Sequence, residues 1–439
     1  MTLGRLVVTV SLFGFSLAGW ADSDRLIIIS PHRKSVQDEF IPRFIEHYQK
    51  TYKKPIQVDW LDQGGTETEM RYIAAKFEKD PKSSGVDVFW GGGDITFLEL
   101  EKQGFLQAYK LPESLNAIPA TVAGVPLRSP QNKWHGTALS SFGIFFNRLL
   151  LKIQKLPEPH KWEDLGKPVY LDHIIVADPR RSSTAMYMNL IMLEALGWEK
   201  GWHLLFALAG NTRSFSQSSS EPIKAVVAGD AAIAPAIDYY AASKINELGD
   251  SKLGFTLPVS ETVFNSDPVG ILTGAPHLLP AERFVAYLLS EEAQKIFILP
   301  KGAKDGPRYS TLARIGVNPR AYQNLNGQIP IVMNLYEYHG EQLKIAFDKL
   351  AASKRLLGDL IGALHIDTHS ELKKAWTQAV KAGKAHEALA QLAAPPFSEK
   401  ELPFLLEKWE DNIFRNRKIN EWISYAQAKY KKKPESPKS

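Results

Sequence analysis

The run LIIISPHRKSVQDEFIPRFIEHYQKTYKKPIQVDW, Leu26 to Trp60, holds one strand–helix–strand unit. Leu26–Ile29 is a short, mostly β-branched stretch stopped by Ser30 and Pro31, the pattern of a buried strand. Val36, Phe40, Phe44 and Tyr48 then recur at helical spacing, with Ile41 and Ile45 on the same side. Pro42 falls inside that helix, where its ring is expected to kink it. Ile56–Trp60 reads as a strand again. Two strands joined by a helix make a parallel pair through a right-handed crossover.

The unit recurs along the chain. Met70–Phe77 is a predicted helix, Val86–Trp90 a strand closed by Gly91-Gly92-Gly93, and Phe97–Gln103 a helix stopped at Gly104. Such alternation means an α/β sheet. Trp134–Asn147 is β-prone and opens a second α/β unit, with strands at Ile174–Ala177 and Ala231–Ile237 and helices at Met186–Ala195 and Ile223–Ala228. Phe255–Pro258 and Val269–Leu272 read as strands leading back to the first unit, and Ala281–Phe297 as one long amphipathic helix. Beyond Pro330 the pattern becomes helical. Leu343, Phe347, Leu350, Leu357, Ile361 and Leu364 form one stripe, and Leu402, Leu405, Trp409, Ile413, Trp422 and Ile423 another. Pro395-Pro396 separates two helices, Ser398 with Glu401 fits a capping box, and the residues from Lys431 have the polar composition of a disordered tail.

A chain of 439 residues is too long for one core, so two or more lobes are expected. A net charge of +5 over that length is too dilute for a nucleic-acid partner. The chain has no cysteine, which excludes thiol nucleophiles, iron–sulfur clusters, disulfides and a lipidated N-terminal cysteine. Arg5, the apolar Leu6–Ala18 and small Gly19 and Ala21 read as a secretory signal cleaved near Ala21, too short for a membrane anchor.

Ligands of open α/β sheets bind where strands turn into helices, and helix starts favour anions. The turns in question are Ser30–Arg33, Gln63–Thr66, Gly91–Asp94, Ser140-Ser141, Asp178–Thr184 and Asp238–Tyr240. The candidate contacts are His32, Gly65, Thr66, Gly92, Gly93, Ser140, Ser141, Ser182, Ser183, Thr184, Asp238 and Tyr239. Each has a plain structural alternative. Glycines serve turns, Ser182–Thr184 serve as a helix cap, Ser218–Ser220 start another helix, and the tyrosines fill core or rim. Catalytic signatures are missing: no nucleophile elbow, no phosphate loop and no zinc helix. His365, Asp367 and His369 are spaced for a metal only if helical, with nothing nearby to complete the site. The chain is therefore expected not to be an enzyme.

Gly85–Gly93, Ala177–Ala185, Gly229–Ala241 and Phe284–Lys295, in that order behind a signal peptide, resemble periplasmic solute-binding proteins of ABC importers. The resemblance runs from about Leu26 to Leu299 and is to the branch that includes ferric-ion-binding proteins. It implies the two-lobed α/β periplasmic-binding-protein fold (type II), hinge strands crossing between lobes, and closure on a ligand. Lobe one would be 24–138 and 264–330, lobe two 139–263, with a helical C-terminal extension over 331–430 and a tail over 431–439. The ligand would be a small anion or a ferric ion carried as cargo, with no certain cofactor. The partner would be a permease of the inner membrane, and the protein a periplasmic monomer. In the ferric case Tyr239, Tyr240 and His32 match the metal ligands, while Gly91–Gly93 stands where a carboxylate would be expected. Arg180 and Arg181 beside the Ser182–Thr184 turn suit an organic anion instead. Two alternatives use the same cleft: a sensing subunit of a signalling receptor, and a periplasmic hydrolase.

Overall fold

The computed structural model describes residues 23–431 except 326, 329–330, 340–342 and 344–346, and the side chains of 347–351 are also outside it. The signal peptide at 1–21 and all but the first residue of the 431–439 tail lie outside the described residues. Among those described, no helix is long and apolar enough to cross a membrane.

Asp24–Ile29 pairs in parallel with Ile56–Leu61 on one side and Val88–Trp90 on the other. The intervening helices are Lys34–Tyr52, which continues through Pro42, and Thr66–Lys79. Both that second helix and the next, Asp94–Lys102, start before the predicted Met70 and Phe97. The glycines in front of them, Gly65 at φ 128° and Gly93 at φ 82°, hold conformations closed to other residues and turn the chain from loop into helix.

The two lobes share one continuous sheet through a single long strand, His135–Asn147. Its first half pairs with Phe264–Leu272, which borders Val88–Trp90 in lobe one. Its second half pairs with Ile233–Ile237 and Leu253–Thr256 in lobe two. Ile174–Ala177 and Thr212–Ser216 complete lobe two. The register of the crossing pair slips between Asp267 and Pro268. Proline has no N–H for the ladder, so a slip there costs no donor. The predicted return strand at Val269 begins at Phe264, because the crossing segment Asn265–Asp267 is buried despite its polarity.

The single helix expected over Ala281–Phe297 is two, Leu278–Leu288 and Glu291–Ile298. Ser290 ends one and caps the other, its hydroxyl accepting from the Ala293 N–H at 3.2 Å. The helical segment near the C-terminus does not form a separate body. Val332, Leu335, Tyr336 and Tyr338 still pack on the lobe-one core. By Leu343, whose N–H donates to the Thr262 carbonyl at 3.0 Å, the chain lies on lobe two. Leu356, Leu360, Leu364, Leu372, Trp376, Trp409, Trp422 and Tyr430 share one apolar core with Trp202 and Phe206 of that lobe. A Cβ on Gly210 would sit 2.4 Å from the Trp376 ring, so only glycine lets the Trp198–Asn211 helix meet this tryptophan. The Trp376 indole also donates to Asn211 Oδ1 at 2.8 Å.

Candidate functional site

The strand-to-helix turns of both lobes converge where the crossing strands pass. From lobe two, Asp238 stands at the first position of the Asp238–Leu248 helix. Its Oδ2 accepts from the Ser141 N–H and hydroxyl, both at 2.9 Å. Burial pushes its carboxyl up to about 7, against the lowering effect of the Ser141 donors. Tyr239 and Tyr240 follow, edge to face at 4.4 Å. Burial holds the Tyr239 phenol well above its ordinary range.

Two guanidinium groups cover this tyrosine pair. Arg314, just ahead of the short lobe-one strand Ile315–Gly316, lies 4.3 Å from the Tyr239 ring centre. Arg33, on the first-strand loop of lobe one, lies 3.9 Å from that of Tyr240. Arg314 is buried and pairs with Asp267, whose other partner is His32 Nε2 at 2.7 Å. Burial would raise the Asp267 carboxyl, but His32 and Arg314 together hold it down at about 2.

His32 is therefore fully engaged. Its Nδ1 lies 2.9 Å from Ser30 Oγ, its Nε2 binds Asp267, and its ring meets Trp90 edge-on at 4.7 Å. A Cβ on Gly91 would stand 2.7 Å from the imidazole, so that glycine exists to let the ring in. Burial holds the imidazole below its ordinary value, despite Asp267. Among the other expected contacts, Thr66 faces Gly92, where a Cβ would come within 2.8 Å of the threonine methyl. Gly93 faces Asn265 of the crossing strand, opposite Ser140 in register. Ser182 caps the Ser183–Leu196 helix, accepting from Ala185 N–H at 3.2 Å, with Thr184 half-buried and Ser183 exposed beside it. Arg180 forks onto Asp178 and also binds Asp367 at 2.9 Å, so its charge is balanced within the protein. No group of three or more His, Cys, Asp or Glu suited to a metal occurs among the described residues. The His365–His369 pair is structural. His365 is buried edge-on against Trp202, His369 Nε2 lies 3.0 Å from the Ala209 carbonyl, and Asp367 is held by Arg180.

Sequence reading did not single out Asp94, Asp267 or Arg314. Asp94 opens the Asp94–Lys102 helix, accepts from Tyr187 of lobe two at 3.2 Å and from Asn265, and is raised to about 6 by burial. Asp267 was detectable as the sole charge in the strand Phe264–Leu272. Arg314 carried no local signal, since the chain around it has little regular structure. A hollow of about 410 Å³ on lobe one, lined by Arg43, Glu292, Gly302 and Arg308, shares none of these residues. At the junction itself the lobes touch, through Tyr187–Asp94 and Arg33–Tyr240.

Comparison with known proteins places this geometry in context. Residues 85–302 match the family model described as bacterial extracellular solute-binding protein. The phosphoglycerate transport regulatory protein PgtC of Salmonella typhimurium is 30% identical over 324 residues, covering 72% of this chain and 77% of that one. Among solved structures, the periplasmic binding protein AfuA from Actinobacillus pleuropneumoniae, with exogenous fructose-6-phosphate bound, superposes with a TM-score of 0.60 at 21% identity. It covers 81% of this chain and 98% of its own. Iron-bound HitA from Pseudomonas aeruginosa gives 0.57 at 18% identity, over 77% and 99%. At such identities the two structures establish a common fold.

Proposed function

This chain belongs to the bacterial extracellular solute-binding proteins, and from that premise we propose that its cleft captures a small phosphorylated organic anion in the periplasm for an ABC permease. The observation that carries the reading is the exposed Arg33 guanidinium, set on Tyr240 and next to Tyr239 where the lobes meet. Guanidinium groups fork onto phosphate and carboxylate oxygens, and the Thr66–Lys79 helix starts at the same junction. The name of the Salmonella relative and the ligand in the Actinobacillus structure are both phosphorylated small molecules, which supports the same class.

A ferric cargo is less well served. It would need His32, yet both ring nitrogens are engaged within the protein. Binding fits the site better than hydrolysis, because the hydroxyl–imidazole contact of Ser30 and His32 is buried and the imidazole is tied to Asp267, away from solvent. One second reading has specific support: the Salmonella relative is named as regulatory, so the same cleft would serve a sensing subunit.

Calorimetry with phosphoglycerate, fructose-6-phosphate and ferric citrate tests the proposal. At least one phosphate should bind, and Arg33→Ala, at an exposed position, should weaken it several-fold. Tight binding of iron with no response to either phosphate would overturn it.

A further inference from the structure

The helical segment after lobe one is fixed to lobe two and also reaches lobe one. Leu356, Leu357, Leu360 and Ile361 lie in the lobe-two core with Met186 and Leu190 of the Ser183–Leu196 helix. Just beyond, Arg180 joins Asp367 to Asp178, and so ties the segment to the turn that precedes that helix. Gly362 allows this, since a Cβ there would stand 2.6 Å from the Arg180 side chain.

The Phe347–Ile361 helix also packs against the Asp94–Lys102 helix of lobe one. Ile95 of that helix is buried in the lobe-two cluster rather than in its own lobe. Lys354 pairs with Glu67, in the first turn of the Thr66–Lys79 helix. The helix thus bridges the two lobe-one helices that begin at the solute turns and the lobe-two helix that faces them. The contacts with the two lobe-one helices must separate if the lobes part.

We propose that the Phe347–Ile361 helix is a latch, carried by lobe two and gripping lobe one, that sets the open–closed balance of the cleft. This rests on reading the interlobe junction as the solute site. A partly exposed ion pair such as Lys354–Glu67 moves a two-state balance by only about two- to fivefold. That is enough to tune solute affinity, because closure and binding are linked reciprocally.

The natural absence of cysteine makes the test clean. Spin labels on Lys79→Cys and Lys224→Cys, exposed positions of lobes one and two, report the interlobe distance in the full chain. Without any solute, Lys354→Glu should lower the closed-to-open ratio two- to fivefold. Adding Glu67→Lys to it should restore the wild-type distribution. A Lys354→Glu protein with the wild-type distribution, or a charge swap that fails to restore it, overturns the latch. Adding phosphoglycerate or fructose-6-phosphate afterwards tests the solute reading separately. Failure of both to shift the distances would break that reading and leave the solute-free result standing.

Discussion

Asp267 of the crossing strand and Asp238 at the lobe-two helix start belong to one junction, yet their carboxyls move in opposite directions. Asp267 is pulled down to about 2 and Asp238 pushed up to about 7. Burial works against both charges. Asp267 overcomes it because the Arg314 guanidinium and the His32 imidazole meet the same oxygen. Asp238 has only a hydroxyl and backbone N–H groups close by, and Arg314 acts on it from farther away. Hydrogen bonds satisfy a carboxylate, but full compensation for lost water needs opposite charge. Hence one acid of the hinge is permanently ionised scaffolding, and the other can change its proton.

The contrast gives three tests. Asp267→Asn should have the largest effect, because it strands the buried Arg314. A loss of about 3–5 kcal/mol in urea unfolding is expected, and a loss under about 1 kcal/mol would show that the cluster is not cooperative. Next, Tyr239→Ala removes the ring under Arg314 without touching Asp267. Solute affinity should fall at least tenfold, about 1.4 kcal/mol, while the fold persists. Unchanged affinity in a folded protein would take Tyr239 out of the site. The third test concerns Asp238. Its folded pKa is raised, so the folded state binds more protons than the unfolded between pH 4 and 7. Stability should therefore be highest at the acid end of that window and decline as pH rises, by roughly 1.4 kcal/mol for each unit by which the folded state raises the group. Asp238→Asn should remove that part of the slope. A slope unchanged in the variant would assign the proton elsewhere, Glu69 being the next group to test, since burial raises it to about 8.

The elements of both lobes were legible because their signals are local. A β-branched run such as Leu26–Ile29 or Ile174–Ala177 makes a buried strand wherever it is placed. The turns at Gly91–Gly93 and Asp238–Tyr240 were legible for a similar reason, since strand ends followed by glycine or by a helix start are visible in order along the chain. Reading the helix over Ala281–Phe297 as unbroken failed on Ser290, where a cap with the right chemistry competes with an apolar stripe that runs through it.

What the sequence alone determined is the α/β alternation, the presence of two units and the polar turns that meet between them. What only the tertiary structure decided is the allocation of charge and contact. His32 looked free until Asp267, 235 residues away, took its Nε2. Arg180 looked ready for an anion until Asp367 reached it from the C-terminal helices. Those helices looked like an appendage until their apolar stripe proved to be part of the lobe-two core. Periodicity states that a helix has an apolar face, but not which surface will cover it. A carboxylate shows its charge in the sequence, and its partner only once the chain has folded.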